Sequence, residues 1–198
     1  LARLRDEDSW PYPWPRPHPI ALDKHTRFRF LSPMPGPAAG AGGATRIYPV
    51  SEDLTPLDGP FLRAARNVSF PASPMLPRVA EAVAVSGLSA TARERRRAVV
   101  LLLGRGALET SDFDAGKARR YLARLRVPLH VWRLVPAEAP VVDGWSDAVD
   151  ASTIEGLGNA FHALRQDLAA QRVVWLEGRV DPSRVEITPR AAGIVSAR

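Results

Sequence analysis

The chain has 198 residues, of which 45% are hydrophobic and 24% charged, the balance of an ordinary globular domain. Because cysteine is absent, disulfides, thiol nucleophiles and thiolate metal sites are excluded. The formal net charge of +6 favours an acidic partner such as nucleic acid, unless it only reflects a preference for arginine. Lys24 and Lys117 are the only lysines, and the basic residues are spread along the chain, so nucleic acid is not the expected partner.

The amino-terminal residues predict a connector rather than a folded element. The chain begins at Leu1 rather than Met, so we expect a processed product or a fragment, and no secretory signal is recognisable. Residues 11–19, PYPWPRPHP, alternate proline with other residues and predict an extended, polyproline-II-like segment. Such a segment could dock in an aromatic groove, but a stiff linker is the favoured interpretation.

A hairpin follows. The polar–apolar alternation of residues 26–31 predicts a strand, and residues 46–50 predict its partner, with Pro49 typical of an edge position. The Gly/Pro/Ala-rich residues 32–45 predict a long loop. Its glycines do not predict a phosphate cradle, because no GKS or GKT follows them.

Residues 77–88 predict a helix with Val79, Ala80, Val83 and Ala84 on its buried face. The arginine-rich run after it, residues 92–97, predicts a solvated approach to the next strand rather than a nucleic-acid patch.

The centre of the chain predicts a strand, a helix and a second strand. Residues 98–103 are an unbroken apolar run, as in a parallel strand that is covered on both faces, and residues 129–134 are a second apolar run. Between them, Ser111 and Asp112 are candidate helix caps, with Asp114 in the first turn. The connection is too long for a hairpin, so we expect a right-handed βαβ crossover.

The carboxyl-terminal part predicts one more helix and strand. After a loop at residues 136–150, Ser152 and Glu155 match a capping box that opens an amphipathic helix, and residues 171–176 predict the last core strand. The predicted fold is α/β, a Rossmann-like and mainly parallel sheet with helices on both faces. One domain would cover residues 1–178, with long loops at 11–19 and 32–45, and residues 179–198 would form a tail.

Motifs for catalysis are scarce. No nucleophile elbow is present, and the four histidines share no metal-ligand spacing. Glu109, Asp112 and Asp114 follow a core strand, where open α/β sheets place their sites, so a catalytic role is an alternative to helix capping.

Four segments, LARLRDEDS, RRAVVLLLG, ARRYLARLRVPLHVW and LRQDLAAQRVVWLEG, resemble bacterial von Willebrand factor A-related proteins. The resemblance implies a truncated or degenerate von Willebrand A-like domain and suggests an extracytoplasmic or secreted protein. The family's adhesion site takes an Asp-x-Ser-x-Ser loop after the first strand, and that strand and loop are missing here. After the fourth strand, Gly104–Arg105–Gly106 stands where the family has an Asp. We therefore expect neither a bound metal nor a cofactor.

The expected function is non-enzymatic protein interaction or structural assembly. The expected partner is another protein or a second copy of the chain, which could supply the missing strand. The candidate partner-binding residues lie in the loops at 104–111 and 136–145 and at the start of the central helix: Arg105, Glu109, Thr110, Asp112 and Trp145. The alternatives are an enzyme that uses the carboxylates between Glu109 and Asp114, and a basic nucleic-acid-binding protein.

Overall fold

The computed structural model describes residues 26–37, 46–54, 76–92, 95–104, 108–136, 142 and 144–172. This part of the chain contains three helices: α1 (Val79–Thr91), α2 (Ala115–Arg124) and α3 (Ile154–Ala170). It also contains five strands: β1 (Gly36–Pro37), β2 (Arg46–Ile47), β3 (Val99–Leu103), β4 (Leu129–Arg133) and β5 (Val149–Asp150).

The central sheet is parallel, and its strand order among the described residues is β3–β4–β5. Val99 lies opposite Leu129, and the two strands stay in register to Leu103 and Arg133. The parallel pairing of the two apolar runs, with α2 as their crossover, confirms the predicted βαβ unit. The pairing of β5 with β4 lies within the residues expected to form a loop, so that prediction was incomplete. A two-residue strand carries no periodicity that a sequence could show.

Helices cover both faces of this sheet, which confirms the α/β prediction. On one face α1 and α2 pack against β3 and β4, and the cluster includes Val83, Leu103, Leu122 and Val131. On the other face α3 packs against the remaining side chains of the same strands. There the rings of Trp132 and Phe161 meet edge to face, with their centroids 4.7 Å apart.

Helices α1 and α2 approach each other closely at Gly87. A Cβ atom added there would lie 2.6 Å from the Leu122 Cδ1 atom, so only glycine fits without a shift of that leucine. Gly87 therefore sets the distance between the two helices on this face of the sheet.

Both ends of helix α2 are closed by specific hydrogen bonds. Its N-cap is Asp114, whose carboxylate accepts a hydrogen bond of 2.7 Å from the Lys117 N–H, so the prediction of Ser111 or Asp112 as the cap was wrong. At the other end Arg126 has a φ of 55°, a left-handed conformation that favours glycine. The Val127 N–H reaches back to the Leu122 carbonyl at 3.0 Å, so the helix closes in a Schellman turn.

Helix α3 starts one residue later than the predicted capping box. Its N-cap is Thr153, which accepts from the Gly156 N–H, whereas Ser152 donates to Asp150. The helix extends to Ala170, and Gln171 is its C-cap rather than the first residue of a strand. The Gln171 amide exchanges two hydrogen bonds of 2.9 Å with the backbone N–H and carbonyl of Arg97, just before β3.

The hairpin is antiparallel, as predicted, but its pairing is broken into short pieces. Isolated bridges join Phe28 to Leu54 and Leu31 to Val50. β1, which pairs with β2, lies inside the segment that was expected to be a loop. An ion pair between Arg29 and Asp53 also links the two arms.

Several predictions lie outside the described residues. They are the connector at 11–19, the strand at 173–176, Arg105 and the tail at 179–198. Among the helices that the structure describes, none combines the length and the apolar character that crossing a membrane requires.

Candidate functional site

The candidate site lies at the carboxyl edge of the sheet, where β3 ends and the chain turns toward α2. Open α/β sheets commonly bind their ligands outside this edge. Here residues 108–114 come back over the first turn of α1. The link is direct, because the Thr110 N–H and hydroxyl both donate to the Pro77 carbonyl, at 3.2 and 2.7 Å.

Glu109 caps a helix to which it does not belong. The first N–H groups of a helix have no partner within it, and the residue before α1, Arg78, makes no side-chain cap. The Ala80 N–H donates to Glu109 Oε2 at 3.0 Å, and the Glu81 N–H donates to Ser111 Oγ at 3.2 Å. The negative carboxylate also complements the positive end of the helix dipole. Glu109 and Ser111 therefore stabilise the start of α1.

Glu81 is the centre of a second group of contacts beside it. Arg78 donates from Nε at 2.8 Å and from Nη2 at 2.5 Å, and the Asp112 N–H donates at 3.0 Å. The Tyr48 hydroxyl donates to Glu81 Oε2 at 2.5 Å. Glu81 thus joins the hairpin, helix α1 and the β3–α2 loop. Arg78 also lies 2.5 Å from the Asp112 carboxylate.

These contacts determine the ionisation of Glu81 and Arg78. Burial raises the pKa of Glu81, but hydrogen bonds from Arg78, the Asp112 N–H and Tyr48 outweigh it and lower the pKa to about 2. The hydrogen bond to Glu81 raises the pKa of Arg78 against the opposing effect of burial. Glu81 is consequently a permanent anion at neutral pH and a weak base, which is the opposite of what general base catalysis requires.

Trp145, which was expected to be an aromatic anchor on the surface, lies in the core instead. Its side chain is fully buried, with a relative exposure of 0%. The Arg119 guanidinium lies 4.8 Å from the ring centroid and also contacts Asp147 at 2.5 Å. The burial follows from the size of the indole and from β5, which brings the loop back to the sheet. A partner cannot touch Trp145 without displacing this packing.

The structure brings three of the predicted site residues together and places a fourth, Trp145, apart from them. Glu109, Thr110 and Asp112 share the same edge, but Glu109 and Thr110 are committed to α1, and only Asp112 is largely exposed, at 68% of its side chain. Trp145 belongs to the core, and Arg105 is not among the described residues.

The two described histidines do not add a catalytic or metal-binding group to this edge. His130 lies on β4 with Nε2 buried, 3.1 Å from the Asp167 carboxylate but outside hydrogen-bonding geometry. His162 contacts Gln166 on the surface of α3. In the described ranges, no three His, Asp or Glu side chains form a group that could hold a metal ion.

Sequence reasoning missed Arg78, Glu81 and Tyr48. The i, i+3 spacing of Arg78 and Glu81 at a predicted helix start was a usable signal for their ion pair. The contact of Tyr48 with Glu81 joins residues 33 positions apart and has no local signature.

No protein-family model, curated protein or solved structure matches this chain.

Proposed function

We propose that the chain is a non-enzymatic interaction or assembly protein, built on a von Willebrand A-like scaffold without a working metal adhesion site. The observation that supports this proposal is the use of the carboxylates at the carboxyl edge. Glu81 and Glu109 are two of the acidic side chains at this edge. Both accept hydrogen bonds from backbone N–H groups, and Glu81 also accepts from Arg78 and Tyr48. Groups used in this way hold segments together and are not available to move protons or bind substrate.

The surface beside this group of contacts is suited to protein contact. Leu76 and Leu108 are 59% and 55% exposed, and each is within two residues of the hydrogen bonds between Pro77 and Thr110. The exposed Asp112 lies on the same loop as Leu108. Apolar side chains next to an exposed charge are typical of an interface rim, and removing them from water favours association.

The proposal has a binding test with a matched control. A tagged chain is used to capture partners, including an untagged second copy, and the captured proteins are quantified. Leu108→Asp should remove the specific partner, whereas Leu88→Asp should retain it, because Leu88 is equally exposed, at 55%, but lies on α1 away from this loop. If Leu88→Asp removes the partner and Leu108→Asp does not, the contact surface is misplaced.

A metal titration tests the second half of the proposal. The family's adhesion site binds Mg²⁺ or Mn²⁺ through carboxylates, hydroxyls and waters. Calorimetry of the purified chain with either ion should show no saturable heat. One-to-one binding that Asp112→Ala abolishes would overturn the proposal, because Asp112 would then be a metal ligand.

The enzyme alternative predicts a different response to substitution. Under our proposal the chain turns over no substrate, so Glu109→Gln only weakens the cap of α1 and lowers the stability of the fold. Turnover of a defined substrate that Asp112→Asn removes, while the melting temperature stays unchanged, would favour the enzyme.

A further inference from the structure

Three segments that are far apart in the sequence meet at the amino edge of the sheet, opposite the candidate site. The Val99 N–H donates to the Pro128 carbonyl at 2.9 Å, which places the end of the α2–β4 turn beside the start of β3. Gln171 exchanges two hydrogen bonds with Arg97 on the same stretch of chain. The residues just before β3, just before β4 and just after α3 are therefore neighbours.

Each of these segments carries exposed arginine. The residues before β3 contribute two, the end of α2 and its turn contribute two, and the end of α3 contributes one: Arg95, Arg96, Arg124, Arg126 and Arg172. The basic residues are spread along the sequence, as expected, but the fold brings these five together at one edge of the sheet. We call this set the amino-edge arginines.

The described carboxylates do not neutralise the charge of this edge. In the described ranges none of the amino-edge arginines forms an ion pair, and the guanidinium of Arg172 donates only to carbonyls at the end of α3. One described carboxylate lies near, Asp167, and it faces His130. The other described acidic residues of the α/β unit belong to the carboxyl edge and the helix starts: Glu81, Glu109, Asp112, Asp114, Asp147, Asp150 and Glu155.

Helix dipoles explain only part of this distribution. Cations at the ends of α2 and α3 are favourable there, which accounts for Arg124 and Arg172. Arg95 and Arg96 lie before β3 and belong to no helix. Arg126 occupies a left-handed position where glycine would be less strained. Three of the five arginines thus have no stabilising role that local structure supplies.

An exposed aromatic side chain lies beside the same surface. Tyr121 is 37% exposed on α2. The spacing of Lys117, Tyr121 and Arg124, four and three residues, places them on one face of that helix. A basic stripe with an aromatic ring within it therefore leads to the amino-edge arginines.

We propose that the amino-edge arginines, together with Tyr121, bind single-stranded nucleic acid. The guanidinium groups contact the phosphates, because their planar fork matches two phosphate oxygens at once. Tyr121 stacks on a base, which a single strand can present and a duplex cannot. This surface is separate from the protein contact proposed at the carboxyl edge.

Two other polyanionic partners fit less well. An anionic membrane surface is bound by basic residues that flank a broad apolar face. The described residues at 95–98, 124–128 and 171–172 include no large exposed apolar side chain, and the exposed Val85 and Leu88 of α1 are too few to form such a face. An acidic protein satisfies the charge but gives Tyr121 no stacking partner of comparable area.

The test uses the full chain and fluorescein-labelled oligothymidylate, oligouridylate and a DNA duplex, followed by fluorescence anisotropy. If the four arginines before β3 and around the end of α2 each contact a phosphate, the logarithm of the binding constant falls with the logarithm of salt with a slope of about −3. Arg124→Glu with Arg126→Glu should weaken single-strand binding at least about 10-fold and reduce that slope by more than 1.

The matched control is Arg27→Glu with Arg165→Glu, which changes the net charge equally through two exposed arginines outside this edge. It should weaken binding less than about 3-fold, as a long-range charge effect does. Tyr121→Ala should cost about 10-fold with the single strands and little with the duplex. Circular dichroism checks that each variant folds. If the variant with Arg124→Glu and Arg126→Glu does not fold, Arg95→Gln with Arg96→Gln replaces it.

Several results would overturn the proposal. Equal losses in the two double variants would show that net charge alone drives binding. If polyglutamate and oligonucleotide compete equally well for the surface, charge alone accounts for binding, and stacking on Tyr121 does not contribute. Binding to phosphatidylserine vesicles without binding to either oligonucleotide would identify a membrane surface instead. A preference between oligothymidylate and oligouridylate would separate DNA from RNA within the proposal.

Discussion

The two edges of the parallel sheet use charge in opposite ways. At the carboxyl edge, Arg78, Glu81, Glu109 and Asp112 are bound to one another or to backbone groups, and their charges hold three segments together. At the amino edge, the arginines are exposed and pair with no carboxylate in the part of the chain that the structure describes. Charge that is paired and half-buried stabilises a fold, whereas charge of one sign left exposed raises the local potential and attracts a partner.

The largest effect should come from removing the centre of the carboxyl edge. Glu81→Ala leaves the guanidinium of Arg78, only 11% exposed, without its main partner, and we expect the free energy of unfolding to fall by about 3–5 kcal/mol. Arg96→Ala, at the amino edge, should change it by less than about 0.5 kcal/mol. Urea denaturation measures both. Similar losses of unfolding free energy in the two variants would show that the charges at the two edges do not differ in their effect on stability.

Acid should weaken the carboxyl edge next. The pKa of Glu81 is about 2 in the folded chain against 4.5 for an ordinary glutamate, so the folded state binds fewer protons in that interval. The stabilisation is complete above about pH 4.5 and is lost as the pH falls toward 2, with a magnitude on the order of 3 kcal/mol. Glu81→Gln should flatten this part of the curve of unfolding free energy against pH. An unchanged curve would mean that other carboxylates cause the acid loss.

A smaller pH dependence should arise beneath the other face of the sheet. Burial lowers the pKa of His130 from 6.5, and the nearby Asp167 carboxylate only partly opposes this. The folded state therefore resists protonation, and stability should decline as the pH drops below about 6.5. His130→Gln should remove that slope, and His162→Gln, at an exposed site, should leave it. Loss of the slope in the His162 variant alone would contradict the assignment.

The smallest expected effect tests whether Arg126, at the amino edge, lowers the stability of the fold. Because Arg126 has a φ of 55°, Arg126→Gly should relieve backbone strain and stabilise the chain by about 0.5–1 kcal/mol. Arg126→Ala, which keeps a Cβ atom, should give no gain. Both variants should weaken oligonucleotide binding. Thermal melting and anisotropy on the same samples measure the two effects, and a glycine variant that gains stability without losing affinity would remove Arg126 from the binding surface.

Much of the fold could be predicted from the sequence, because its core strands are mainly apolar. β3 is a continuous apolar run, β4 is apolar apart from His130 and Arg133, and α3 repeats apolar residues at three- and four-residue spacing, so local composition and burial agree. The predicted helix caps lie one to three residues before the observed ones, because neighbouring Ser, Thr and Asp side chains can all cap a helix. Thr153 and Asp114 were selected by tertiary position.

The functional surfaces could not be predicted in the same way. Glu81 and Tyr48 are 33 positions apart, and nothing local to either residue indicates the other. The arginines of the amino edge come from three places in the chain, so a search for a basic run finds only the residues before β3. Their assembly depends on the parallel register of β3 and β4 and on the length of α3, and both are properties of the folded chain.

The hydrogen bonds between Gln171 and Arg97 also constrain the order of events during synthesis. They join residues 74 positions apart, and the ribosome makes Arg97 long before it makes Gln171. β3 and β4 can pair as soon as residue 133 has left the exit tunnel, but the start of β3 has no Gln171 amide until the whole of α3 has followed. The nascent chain must therefore hold a partly finished sheet edge while a further 38 residues are added, and a stop codon between Arg133 and Gln171 would leave that edge unfinished.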